Sequence, residues 1–174
     1  FCPGNIIKVK PTKQPPNREN PHAAEDCLIS GEPTLIGKIG PEKMVEAVSG
    51  SIHDSVNDLF GDAFTDHYYV PENEGIRSLG AVETNSGRMG FNYNYNKLRC
   101  WFYDSNNERF SLPVSCRALN GIHNLNGVGN LEDLKLGKRT AHIRLGLANP
   151  WGGGPDNNWN PKRCYAMVNG VFFV

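Results

Sequence analysis

The sequence lacks several features that are typical of membrane proteins and metalloproteins. No apolar run among the 174 residues approaches the roughly 20 that a membrane-spanning helix needs, and no basic-then-apolar signal peptide is recognisable. The five cysteines include no Cys-x-x-Cys pair, and the five histidines have no paired ligand spacing. We therefore expect no membrane partner, no bound metal and no cofactor.

An excess of either charge is also missing, because 18 basic residues balance 18 acidic residues. Asparagine is abundant, yet no Asn-x-Ser/Thr glycosylation acceptor occurs. This absence and the odd number of cysteines favour reduced thiols and a cytoplasmic location. The last third of the chain, residues 113–174, carries seven basic and three acidic residues, so an anion site is expected there.

The residues that are plentiful indicate a chain of short strands joined by turns. The 19 glycines and 12 prolines are spread among aromatic and β-branched residues. Residues 1–75 are predicted to form a smaller appended β/α segment, with a proline-rich connector and two short helices that begin at Pro41 and Ser51. Residues 76–174 are predicted to form a separate, mainly β unit.

The order of elements in residues 76–174 suggests a particular β fold. We predict three strands, an irregular or helical interval and two closing strands; the interval comprises a glycine- and asparagine-rich stretch at 120–130 and a short helix around Leu131. This order is the one expected of an OB-like five-stranded Greek-key barrel. A β-sandwich fragment or an SH3-like barrel would have the same strand count.

Several short stretches resemble a prokaryotic family described as dual OB-containing domains. They are Asn5-Ile-Ile-Lys-Val-Lys-Pro11, Glu25-Asp-Cys-Leu-Ile29, His142-Ile-Arg-Leu-Gly-Leu-Ala-Asn-Pro-Trp151 and Arg163-Cys-Tyr-Ala-Met-Val-Asn-Gly170. The resemblance implies a module that binds nucleic acid or a nucleotide beside prokaryotic antiviral defence proteins. It also implies a basic residue near Ala148 or Asn149, and neither of these is basic.

Alternation along residues 98–103 predicts a strand with one apolar and one aromatic, basic face. Leu98, Cys100 and Phe102 are expected to point into the core. The opposite face combines rings that stack on bases with a cation for phosphate. The predicted ligand-binding residues here, including two tyrosines on the neighbouring strand, are Arg99, Trp101, Tyr103, Tyr93 and Tyr95. A cross-strand aromatic cluster in the core is the alternative.

Further binding residues are predicted near the end of the chain. Strand parity places His142 and Arg144 on one face, and Arg163 follows a loop that contains Trp151 and Trp159. We expect Arg99, Trp101, Arg144 and Trp151 to line one continuous surface. The alternatives are a solvated strand face for the basic residues and a packed lid for the tryptophan loop.

These patterns favour non-catalytic recognition of a single-stranded nucleic acid or a nucleotide. The first alternative is a protein-interaction module that holds a defence or repair enzyme in a complex. The second alternative is a small hydrolase. Its candidate residues lack any recognised motif spacing and are His22, Cys27, His53 and an acidic stripe that ends at a histidine, namely Asp54, Asp58, Asp62, Asp66 and His67.

Overall fold

The computed structural model describes residues 4–12, 29–155 and 158–174. The hydrolase candidates His22 and Cys27 lie outside these described residues. Within them the protein is mainly β, and its five-stranded sheet curls into a half-barrel. None of the described helices is both long and apolar enough to cross a membrane.

The N-terminal part contains a two-stranded ribbon and two short helices. Strands β1 (Asn5–Lys8) and β2 (Thr34–Lys38) pair antiparallel. Helix α1 (Pro41–Val48) begins with proline, whose missing N–H would be unpaired in a first turn anyway. Helix α2 (Val56–Phe60) begins after Ser55, which accepts a hydrogen bond from the Asp58 N–H at 3.0 Å. The two helices are confirmed, but the second begins later than the predicted Ser51.

The central sheet has five strands in the order β3, β5, β9, β10 and β4. These are β3 (Ile52–His53), β4 (Tyr69–Pro71), β5 (Leu79–Asn85), β9 (Thr140–Leu147) and β10 (Arg163–Phe173). The β3–β5 pair is parallel, whereas the other pairs are antiparallel. The two closing strands predicted from the sequence therefore lie side by side.

A second, three-stranded sheet continues directly from β5. After a 3₁₀ turn at Ser86–Arg88, β6 (Met89–Asn94), β7 (Lys97–Tyr103) and β8 (Arg109–Pro113) form an antiparallel meander. Just beyond β8, Val114 forms a parallel bridge with Val168 of β10, and the Ser115 N–H donates to the Val168 carbonyl at 2.9 Å. This bridge brings the free edge of the meander to the central sheet.

Two helices occupy the interval between β8 and β9. Helix α3 (Arg117–Asn126) overlaps the glycine- and asparagine-rich stretch, and α4 (Gly129–Asp133) lies near the predicted helix at Leu131. The interval, which was predicted to be irregular or helical, is helical because Leu119, Ile122 and Leu131 pack against the core. Burial of an apolar helix face outweighs weak intrinsic helix propensity.

One hydrophobic core contains residues from both sides of residue 75. Val56, Leu59 and Phe60 of α2 are fully buried in the same cluster as Phe102 of β7 and Ile143 of β9. Strands β3 and β4 also belong to the central sheet. The predicted boundary after residue 75 therefore does not separate two cores within the described residues.

Candidate functional site

The two faces of β7 have the environments that sequence alternation predicts. Leu98 and Phe102 are at most 2% exposed, whereas Arg99, Trp101 and Tyr103 are half-buried and lie on the outer face. The predicted register is therefore confirmed, since a slip by one residue would exchange the two faces.

Three arginines contact rings on or beside this outer face. The Arg109 guanidinium lies 5.7 Å from the Trp101 ring, and Arg88 lies 4.8 Å from the Tyr103 ring. Arg99 lies 5.9 Å from the ring of Tyr68 and also donates from Nε to the Ser111 hydroxyl at 3.2 Å. These distances are typical of cation–π contacts.

Tyr68 continues the ring contacts from β7 towards β10. Its ring centroid is 5.1 Å from that of Tyr165, which in turn is 6.1 Å from Trp151 and 6.3 Å from Trp159. The two tryptophans meet edge to face at 5.0 Å. A chain of ring contacts thus joins the outer face of β7 to the loop before β10.

Arg163 completes this group of aromatic and basic side chains. Its guanidinium lies 4.5 Å from the Tyr69 ring and 4.2 Å from the Trp159 ring. We call the whole group the arginine–aromatic surface and define it by the following residues: Tyr68, Tyr69, Arg88, Arg99, Trp101, Tyr103, Arg109, Trp151, Trp159, Arg163 and Tyr165.

The loop before β10 is held at its base by backbone hydrogen bonds. Trp151 and Arg163 exchange two N–H to carbonyl bonds of 3.0 Å, and the Trp159 N–H donates to the Gly152 carbonyl at 2.6 Å. Trp151 nevertheless remains 50% exposed. The Trp151 indole is therefore partly exposed to solvent, while the backbone hydrogen bonds at the base of the loop fix its position.

The arginines of this surface are not neutralised by carboxylates in the described chain. Within residues 4–12, 29–155 and 158–174, the ion pairs closer than 4 Å are Lys135 with Glu132 and His142 with Glu83. The four guanidinium groups of the surface instead contact rings or uncharged oxygens. They keep their positive charge available for an anionic ligand.

Gly90 allows the Trp101 indole to lie across the neighbouring strand β6. A methyl group at Gly90 would come 2.8 Å from Trp101 Cζ2 and 2.9 Å from Glu132 Oε1. We expect Gly90→Ala to displace the indole and to lower the free energy of unfolding by about 1–3 kcal/mol. Acrylamide quenching of tryptophan and thermal unfolding measure both effects. Gly50→Ala is the matched control, since no atom lies within 4 Å of its added methyl. Equal behaviour of the two variants would contradict this packing.

The predicted contribution of Tyr93 and Tyr95 to the same face was wrong. Tyr93 pairs with Leu98 across β6 and β7, which places it on the side opposite Arg99. It stacks on His123 of α3, with ring centroids 4.7 Å apart. Tyr95 lies in the turn with φ of 51° and is 84% exposed.

The prediction that Arg144 lines one continuous surface with Arg99, Trp101 and Trp151 was also wrong. Arg144 and His142 share the outer face of β9, but they line a small cavity with Met44, Val45 and Val48 of α1. His142 is 4% exposed and its Nε2 lies 3.0 Å from a Glu83 carboxylate oxygen. Its Nδ1 is buried without a partner among the described residues. Helix α1 covers this face, which sequence parity alone does not reveal.

The hydrolase candidates that the structure describes do not form the predicted acidic stripe. Helix α2 ends at Phe60, so Asp62 and Asp66 lie beyond it, and His67 follows with a positive φ. His53 Nε2 lies 3.0 Å from Arg77 Nη1. Burial, followed by the charge of Arg77, lowers the pKa of His53. The neutral imidazole therefore accepts a hydrogen bond from the guanidinium.

Two buried cysteines are poorly suited to nucleophilic chemistry. Burial raises the pKa of Cys164 to about 11 and raises the pKa of Cys100 as well. The described residues also contain no group of three or more His, Cys, Asp and Glu side chains placed to hold a metal ion.

Several members of the arginine–aromatic surface are not indicated by the sequence patterns. Tyr68 and Tyr69 lie in a segment without a periodic pattern, and Arg88 lies in the turn between two strands. Arg109 could have been identified as a member of this surface, because it is the hairpin partner of Tyr103 across β7 and β8. Comparison of the chain with protein-family models, curated proteins and solved structures gave no match.

Proposed function

We propose that this chain is a non-catalytic module that binds single-stranded nucleic acid on the arginine–aromatic surface of an OB-like barrel. Three features support the Greek-key interpretation. The chain passes from β5 to β6 through one turn, two helices lie between β8 and β9, and β10 reaches the end of β8 through the parallel bridge at Val168. OB-fold barrels use such surfaces for oligonucleotides.

The observation that carries the proposal is the combination of partly exposed rings with arginines that lack carboxylate partners among the described residues. Nucleobases stack on aromatic side chains whatever their sequence, with about 1–3 kcal/mol per base. Unpaired guanidinium groups beside the rings supply contacts to the phosphates. Arg163 and Trp151 both contact Trp159, and Arg109 contacts Trp101 on the outer face of β7. The sequence resemblance to dual OB-containing domains supports the further proposal that the module works beside prokaryotic antiviral defence proteins.

Salt dependence of oligonucleotide binding tests the proposal. We expect a fluorescein-labelled oligothymidine of about 12 nucleotides to bind, as judged by fluorescence anisotropy. If the four arginines each contact a phosphate, the logarithm of the association constant falls with the logarithm of salt concentration with a slope of about −3. Affinity should then drop about 50-fold between roughly 50 and 200 mM salt. Lack of binding at low salt would contradict the proposal.

A protein-interaction module is the second candidate, and one surface favours it. Tyr95 and Leu125 are 84% and 83% exposed beside the Tyr93–His123 stack. Protein interfaces depend on desolvated aromatic anchors, so a partner held there would survive high salt. Retention of a protein partner in high salt, together with no oligonucleotide binding in low salt, would favour this candidate.

A further inference from the structure

A polar pocket of about 340 Å³ opens where β5, β7 and β9 end or begin. Its lining includes Arg88 from the turn after β5, Tyr103 at the end of β7, and Arg139 and Thr140 at the start of β9. This volume is within the range of small-molecule sites. Two arginines from separate parts of the chain therefore face the same space.

The two acidic residues of the pocket are already engaged by other groups. The Asp104 carboxylate is buried and accepts hydrogen bonds from the Val56 N–H at 3.2 Å and the Glu108 N–H at 3.1 Å. The Glu83 carboxylate lies 3.0 Å from His142 Nε2. Both carboxylates thus have partners outside the arginine pair.

The basic and hydroxyl groups, by contrast, retain unused donors. The Arg139 guanidinium is exposed and makes neither an ion pair nor a hydrogen bond to any other described residue. Arg88 bonds to the Asn107 side-chain oxygen and lies over Tyr103, which leaves further N–H groups of its fork unused. The Thr140 hydroxyl adds another donor at the pocket wall. The pocket is therefore rich in donors for an anion.

We infer that this pocket binds a phosphomonoester, either on a free nucleotide or at the end of a nucleic-acid strand. A phosphomonoester carries close to two negative charges and three acceptor oxygens at neutral pH. Two guanidinium groups and a hydroxyl match that charge and that set of acceptors. Arg88 and Tyr103 also belong to the arginine–aromatic surface, so the pocket adjoins that surface.

This inference goes beyond the proposed function, because a free nucleotide requires only the pocket. Different results would contradict oligonucleotide binding on the arginine–aromatic surface and phosphate binding in the pocket. If the pocket binds a nucleotide by itself, Trp151→Ala weakens oligonucleotide binding and leaves nucleotide binding unchanged. Oligonucleotide binding without any preference for the phosphorylated ligand, in the oligothymidine pairs and in the nucleoside pair alike, would leave the proposed function intact and would contradict the pocket inference.

Isothermal titration calorimetry with paired ligands tests the inference on the full chain. One pair is adenosine 5′-monophosphate and adenosine; the other pairs are oligothymidines with and without a phosphate at the 5′ or 3′ end. We expect the phosphorylated member of at least one pair to bind about tenfold more tightly. Arg139→Gln should abolish that difference, and Arg88→Lys should reduce it because lysine lacks the planar fork. Arg117→Gln, at an exposed arginine of α3, should retain it.

The pattern among the pairs identifies the source of the phosphate. A difference confined to the nucleoside pair indicates a free nucleotide, and one confined to the oligothymidines indicates a strand end. Equal binding within every pair would overturn the inference. A phosphate effect that survives Arg139→Gln in a folded variant, checked by circular dichroism, would also overturn it.

Discussion

Replacement of both Trp101 and Trp151 by alanine is expected to weaken oligothymidine binding by about 30-fold or more. Each indole is partly exposed, and each belongs to the arginine–aromatic surface. Loss of two stacked bases removes about 2–6 kcal/mol of binding free energy, and each 1.4 kcal/mol corresponds to a factor of ten. Fluorescence anisotropy at low salt measures the loss. Each single variant should show a part of it.

Tyr95→Ala is the matched control for the tryptophan variants. Its ring is the most exposed large hydrophobic side chain of the described residues, but it lies in the β6–β7 turn, away from the arginine–aromatic surface. We expect this variant to bind with unchanged affinity. If Tyr95→Ala weakened binding while the double tryptophan variant did not, the ligand would lie at the hairpin tip and our assignment of the surface would be wrong.

Phe102→Ala is expected to lower the free energy of unfolding by about 3–5 kcal/mol. The Phe102 ring is fully buried and stacks on Phe110, with centroids 5.4 Å apart. Its removal leaves a cavity beside Phe110 of β8, because close-packed neighbours relax only partly into the space. Chemical denaturation followed by circular dichroism measures the change.

Lys97→Ala on the same strand is the control for this packing effect. Lys97 is exposed at the start of β7, and surface substitutions of this kind change stability by about 0.5 kcal/mol or less. A comparable loss of stability in both variants would show that the strand as a whole is sensitive. The burial of the Phe102 ring would then not be the cause.

The faces of the strands could be determined from the sequence by itself. Leu98, Phe102 and Trp101 have the environments that alternation predicts, because side chains along a strand point to opposite sides at every step. Side-chain alternation is a local property, and a short stretch of sequence contains all of it.

Other features depended on contacts between distant parts of the chain. Helix α3 forms in a stretch with weak helix propensity because Leu119 and Ile122 pack against the core. His142 alternates like an exposed residue, but α1 covers its face of β9. Local patterns carry no information about which element covers an outer sheet face.

The candidate site shows the same division. The sequence identified Arg99, Trp101 and Trp151 as candidates from residue type and strand parity. Only the tertiary structure joined Arg99 to Trp151 through Tyr68 and Tyr165, and only it brought Arg88 and Arg139 to one pocket from positions 51 residues apart. The pairing of β5 with β9 brings the two arginines together. Antiparallel pairing aligns Asn85 with Thr140 and so places Arg88 and Arg139 at the same end of the sheet.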